Sequence, residues 1–126
     1  MKDPIFLLCD RIRETSFSLQ QHLRHGHLEK VYENGLAHRL KKQKLDVIQQ
    51  HPLNVLDEDG TLLGNFFADL YVEQQLIIEL KAVRTLIDEH AAQLLGYLRA
   101  SRIEHGLLIN FGSPRLEVRK FALSEV

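Results

Sequence analysis

The sequence predicts a mixed α/β domain, a central β-sheet covered by helices in the order ααβββαββ. Three observations carry this: apolar residues recur at helical spacing as far as Leu45, β-type stretches begin at Val47, and a further helical stripe interrupts them between Asp88 and Leu98. A chain of 126 residues is the size of one domain, so residues 1–126 are read as a single core carrying a single site.

Pro4 opens the first helix, and Ile5, Leu8, Ile12, Leu19 and Leu23 form its stripe up to Gly26, a residue suited to a left-handed terminus. Leu28, Val31, Tyr32, Gly35, Leu36 and Leu40 form the second stripe. Val47 to Leu56, the turn Asp57-Glu58-Asp59-Gly60 and Leu62 to Val72 read as a hairpin, with Leu76 to Val83 as a third strand. Asp88 is the expected N-cap of the third helix, which presents Ala91, Leu94, Leu95 and Leu98 on one face. Gly106 to Phe111 reads as a buried strand, Gly112-Ser113-Pro114 as a turn, and Leu116 to Leu123 as the last strand.

The apolar fraction of 44% and charged fraction of 26% are those of a globular protein. No early apolar run approaches the length of a leader or a bilayer span, so no membrane partner is expected and a cytoplasmic location is the default. Cys9 is the single cysteine, which excludes an intrachain disulfide and a cysteine-ligated zinc or iron–sulfur site within one chain. Any metal must use oxygen or imidazole. The formal net charge of -1 is unusual for a protein that grips long duplex DNA. Local positive charge exists in Arg39, Lys41, Lys42 and Lys44 and in Arg99 and Arg102, although such clusters on helices are commonly solvated faces.

The most informative stretch runs from Asp69 to Lys81. With Glu73, Gln74 and Gln75 as a three-residue loop, Val72 pairs with Leu76 and Asp69 falls opposite Glu79. Ile77, Glu79 and Lys81 share one face of their strand, and Ile78, Leu80 and Ala82 the other. Opposed residues bring their Cβ atoms to ~4.5–5.5 Å, where like charges destabilise a sheet unless something offsets them. Lys81 does so in part, and two convergent carboxylates also make the hard-oxygen arrangement that Mg2+ or Mn2+ prefers. An ordinary surface hairpin gives the same spacing. Glu29 lies in the first turn of its helix, where the helix dipole alone accounts for an acid. His90, Gln93 and Tyr97 form a polar stripe on the third helix, which also suits a plain helix edge.

Gly26-His27-Leu28-Glu29-Lys30-Val31-Tyr32 resembles the signature of the GxxExxY protein family. Phe67-Ala68-Asp69-Leu70, Ile78-Glu79-Leu80-Lys81-Ala82-Val83, His90 with Ala92 to Leu98, and Gly106 to Gly112 follow in the expected order. That family is similar to the PD-(D/E)xK nuclease superfamily, in the branch related to RecB-like and Cas4-like nucleases. The resemblance implies a restriction-endonuclease-like sheet flanked by helices, with Glu29, Asp69, Glu79 and the Leu80 carbonyl around Mg2+ or Mn2+. It implies Lys81 beside the cation, and Gln93 and Tyr97 as the downstream glutamine and tyrosine. Departures are Ala68 where the superfamily name has proline, Leu23-Arg24-His25-Gly26 in place of the family's turn, and Gln20 where a histidine is common. The cysteines of cluster-bearing relatives are missing, so no iron–sulfur cluster is expected.

The function this implies is metal-dependent hydrolysis of nucleic acid, DNA before RNA, with Glu29, Asp69, Glu79, Lys81, Gln93 and Tyr97 as catalytic residues. The alternative is a binding module for nucleic acid or a protein partner on the same fold without turnover. A homodimer or a partner protein would help so small a domain hold substrate.

Overall fold

The computed structural model describes residues 3–123. The chain runs α1 (Pro4–Leu23), α2 (Glu29–Lys42), β1 (Val47–Leu56), β2 (Leu62–Val72), β3 (Leu76–Lys81), α3 (Asp88–Ser101), β4 (His105–Asn110) and β5 (Glu117–Ala122). The expected order ααβββαββ is therefore the observed one. The expected single domain over 1–126 extends at both ends past the described residues.

Helix α1 starts with Pro4 in its first turn and the Asp3 carboxylate accepting the Ile5 amide at 3.0 Å. Its stripe Ile5, Leu8, Cys9, Ile12 and Leu19 is buried. The helix stops earlier than expected: Arg24, at φ 64° and ψ -174°, ends it and donates its N–H to the Gln20 carbonyl. Gly26, at φ 113°, instead turns the chain towards α2.

The five strands lie in the order β1-β2-β3-β4-β5. Neighbours are antiparallel except β3 and β4, which are parallel and joined through α3 as parallel strands require. One core packs Tyr32, Leu36 and Leu40 of α2 and the α1 stripe against Leu70, Val72, Ile78, Leu80, Leu107 and Ile109. A smaller core packs Leu94 and Leu98 of α3 against Ala68, Ile77 and Leu108. Thus Ile77 faces α3 while Ile78 and Leu80 face α1 and α2, the alternation expected of β3.

One feature breaks that alternation in β2. Leu70 and Val72 pack beneath α1 and α2, whereas Ala68 and Phe66, of the same parity, pack on the α3 side. Opposite them the ladder passes from Gln49↔Leu70 to His51↔Ala68 without a Gln50↔Asp69 pair, and Gln50 sits at φ 52°. A left-handed residue in mid-strand rotates the ribbon and swaps its faces at the height of Asp69.

Other boundaries move for local reasons. Strand β3 ends at Lys81 rather than Val83 because the Val83 amide is taken by the side chain of Asn110, at 3.0 Å. The expected N-cap Asp88 is instead the first helical residue of α3. Ile87 stands at the cap, its N–H donating to Nδ1 of His90 at 3.1 Å. Asp88 then serves the positive end of the helix.

Candidate functional site

The site grows from the place where β2 and β3 part. Their register runs Val72↔Leu76, Tyr71↔Ile77 and Leu70↔Ile78, which leaves Asp69 and Glu79 next in line, as the three-residue loop predicts. That loop closes through two left-handed residues, Glu73 (φ 53°) and Gln74 (φ 56°). Beyond Leu70 the ladder stops, and the Asp69 carboxylate takes its place: Oδ2 accepts the Leu80 amide at 2.8 Å.

Glu79 is half-buried on the α3-facing side of β3, between Ile77 and Lys81. Burial first, then the charge of Asp69 and a hydrogen bond with it, push its carboxyl up to about 9, against a downward pull from Lys81. The Glu79 Oε1 atom is shielded from solvent and has no hydrogen-bond donor. As two carboxylates, Asp69 and Glu79 hold no proton between them; with one proton they share a hydrogen bond. A cation placed there would satisfy the same need without the proton.

Glu29 is the first residue of α2 and is open to solvent. Crowding by protein, the Asp69 charge and Glu33 raise its carboxyl, and Lys81 opposes them. Its exposure weakens each of these effects through water screening. Glu29, Asp69, Glu79 and Lys81 thus lie within electrostatic range of one another. Tyr32 fixes the approach to Glu29. It is fully buried, stacks on Phe111 with centroids 4.8 Å apart, accepts the His27 amide at 3.2 Å and donates to the Arg24 carbonyl at 2.6 Å.

The stripe on α3 divides. Gln93 is exposed, Tyr97 is half-buried and stacked on Phe66 of β2 at 3.7 Å, and His90 caps its own helix. No described interaction ties Gln93 or Tyr97 to the acidic group, whereas Glu29, Asp69, Glu79 and Lys81 are joined electrostatically.

Two further residues belong to the site and were not singled out by sequence. Glu33, 3% exposed, accepts Lys30 Nζ at 2.9 Å, Gln49 Nε2 at 2.8 Å and Gln50 Nε2 at 2.9 Å. Gln50 Nε2 also donates to Asp69 Oδ1 at 3.3 Å. Glu33 stands one turn from Glu29, a spacing that signals only a shared helix face.

On the other flank, Asn110 is fully buried. Its Oδ1 accepts the Val83 and Gly112 amides, each at 3.0 Å, and its Nδ2 donates to Glu117 at 3.0 Å. The Phe111 amide donates to the Lys81 carbonyl at 2.9 Å, so the root of Lys81 is held by β4. Gly112 is required here: a methyl group would run into the backbone of Ala82 and Val83. Gln20, where a histidine is common, donates to the carbonyls of Phe111 and Ser113 at 3.2 and 2.9 Å and ties α1 to this turn.

Among the described residues no three His, Cys, Asp or Glu side chains already stand as a cluster able to hold an ion. Asp69 and Glu79 form a pair, with Glu29 further off. Mg2+ suits such a pair, since it keeps several waters and uses only one or two carboxylates. The donor-less Glu79 oxygen makes the pair a fit for a hard cation.

Among the described residues no helix is long and apolar enough to cross a membrane. No curated protein matches the chain. The crystal structure of SSO0001 superposes on it with a TM-score of 0.58 at 20% identity, over 74% of this chain and 48% of that one. The chain thus spans about half the length of that protein, and the likeness concerns the fold. A family model described as the PD-(D/E)XK nuclease superfamily matches residues 7–121. With that match over nearly the whole described chain, on a five-stranded mixed sheet with three helices, the protein belongs to the PD-(D/E)XK nuclease superfamily.

Proposed function

We propose that this chain is a metal-dependent nuclease domain that hydrolyses phosphodiester bonds of nucleic acid, DNA before RNA. The observation that carries the reading is the Asp69–Glu79 pair with its unsatisfied oxygen, within electrostatic range of Lys81 and Glu29. Asp69 and Glu79 would hold Mg2+ or Mn2+, with the Leu80 carbonyl as a further oxygen and Glu29 acting through water. When bound, the cation supplies polarisation of a phosphate oxygen and acidifies water beside it. Lys81 orients that water or takes up its proton, and its ammonium stabilises charge developing on the phosphate. Tyr97, stacked and unable to swing freely, and Gln93, free on the surface of α3, position phosphate or water.

The motifs from Gly26 to Tyr32 and around Asp69 and Glu79 support membership of the GxxExxY group, near RecB-like enzymes. The absence of further cysteines argues against an iron–sulfur cluster in this chain. A net charge of -1 favours help from a second copy or a partner protein in gripping substrate. A cytoplasmic setting suits a single-cysteine domain of this kind.

The test is incubation of the purified protein with labelled single- and double-stranded DNA and RNA in Mn2+, beside an Asp69→Ala variant. Cleavage that needs both the cation and Asp69 is the expected result. Binding of the probes without cleavage, equal in both proteins, would favour a non-catalytic binding module and sink this reading.

A further inference from the structure

We infer that Gln50 is a positioning residue for Asp69, holding that carboxylate in the orientation from which it serves the cation; the inference rests on the metal-dependent reading above. Three observations converge on it. Gln50 Nε2 donates to Glu33 Oε1 at 2.9 Å and to Asp69 Oδ1 at 3.3 Å, so one amide nitrogen uses both its hydrogens on two different carboxylates. The far anchor is rigid: Glu33 is 3% exposed and is held in turn by Lys30 and Gln49. Finally, Gln50 reaches this position from φ 52°, a left-handed conformation that a glutamine in mid-strand does not adopt without cause.

The chemistry explains why an amide stands there. Asp69 has its Oδ2 fixed by the Leu80 amide. A second donor on Oδ1 stops the carboxylate from rotating about its last bond, leaving the remaining lone pairs aimed in one direction. A lysine at position 50 would do this with a positive charge that competes with the cation. Glutamine does it without net charge, so Asp69 keeps its full pull on a metal. The left-handed backbone of Gln50 is also what rotates the β1–β2 ribbon at the height of Asp69, so one residue sets both the strand's turn and the carboxylate's orientation.

Two variants separate these roles. Gln50→Met keeps the length and removes the donors; Gln50→Gly removes the donors and relaxes the left-handed backbone. Hydrogen exchange at the Leu80 amide, followed by NMR without metal, reads the Asp69 contact directly. Titration with Mn2+ alone reads its consequence. The expected result is faster Leu80 exchange in both variants and a Mn2+ dissociation constant raised about tenfold, the usual effect of losing a partner behind a ligand, with Gln50→Gly melting no lower than Gln50→Met because it also relieves the left-handed backbone. Wild-type Leu80 exchange or wild-type Mn2+ affinity in both variants overturns the inference. Failure of the metal reading itself is recognised separately: wild type and Asp69→Ala would then take up equally little Mn2+.

Discussion

The Asp69 carboxylate accepts the Leu80 amide at 2.8 Å where the β2–β3 ladder ends, so a side chain completes the hydrogen bonding of the sheet at the point where the two strands separate. The charge that repels Glu79 is therefore also a structural acceptor. Removing Asp69 affects both roles, and residues around it are the better probes of chemistry.

Lys81 is such a probe. Its side chain is half-buried and its backbone carbonyl, held by the Phe111 amide, is unchanged by substitution. Lys81→Ala is expected to lower the rate of Mn2+-dependent cleavage by about 10²–10⁴-fold, the range for loss of a proton-transfer group, with little change in melting temperature. A variant as active as wild type removes Lys81 from the mechanism.

Glu79 predicts a pH dependence. Its folded carboxyl titrates at about 9 against 4.5 for the ordinary group, so the folded state binds the proton more tightly. Its stabilising contribution is then complete below about 4.5 and is lost as pH rises towards 9. Melting of the metal-free protein across that window should fall more steeply for wild type than for Glu79→Gln, which cannot ionise. Saturating Mg2+ should flatten the wild-type curve. Parallel curves for the two proteins would remove the buried carboxyl from the account.

Tyr97 separates packing from chemistry. Its ring stacks on Phe66 at 3.7 Å, so Tyr97→Phe keeps the stack and loses only the hydroxyl. Stability within about 0.5 kcal/mol of wild type, the range of a neutral substitution, together with a measurable loss of cleavage is expected. If Tyr97→Phe cleaves normally while Tyr97→Ala melts early, the residue only packs.

Glu33 tests the anchor behind the site. Glu33→Ala removes a buried carboxylate shared by Lys30, Gln49 and Gln50, whose own side chains reach solvent or a second acceptor. Urea unfolding should record a loss of about 1–3 kcal/mol, the range for losing a charged hydrogen-bond partner, with solvent screening the Lys30 pair. A loss under half of the lower figure would mean that water replaces the carboxylate.

The sequence alone determined the element order, the three-residue loop and the register as far as Leu70 and Ile78, because periodicity and turn chemistry are local and register follows from counting along two strands. It also placed a turn at Gly112-Ser113-Pro114, though not the reason a glycine opens it, which is close backbone approach at Ala82 and Val83. Only the tertiary structure decided that Asp69 bonds to Leu80 instead of pairing in the ladder, that the ribbon turns over at Gln50, and that His90 caps α3 ahead of Asp88. It alone brought Glu33 behind Asp69 and kept Glu29 at the rim of the acidic pair. Those outcomes depend on which faces of α2, β1 and β2 meet, and a linear pattern carries no record of a left-handed residue within a strand or of a carboxylate reached from another element.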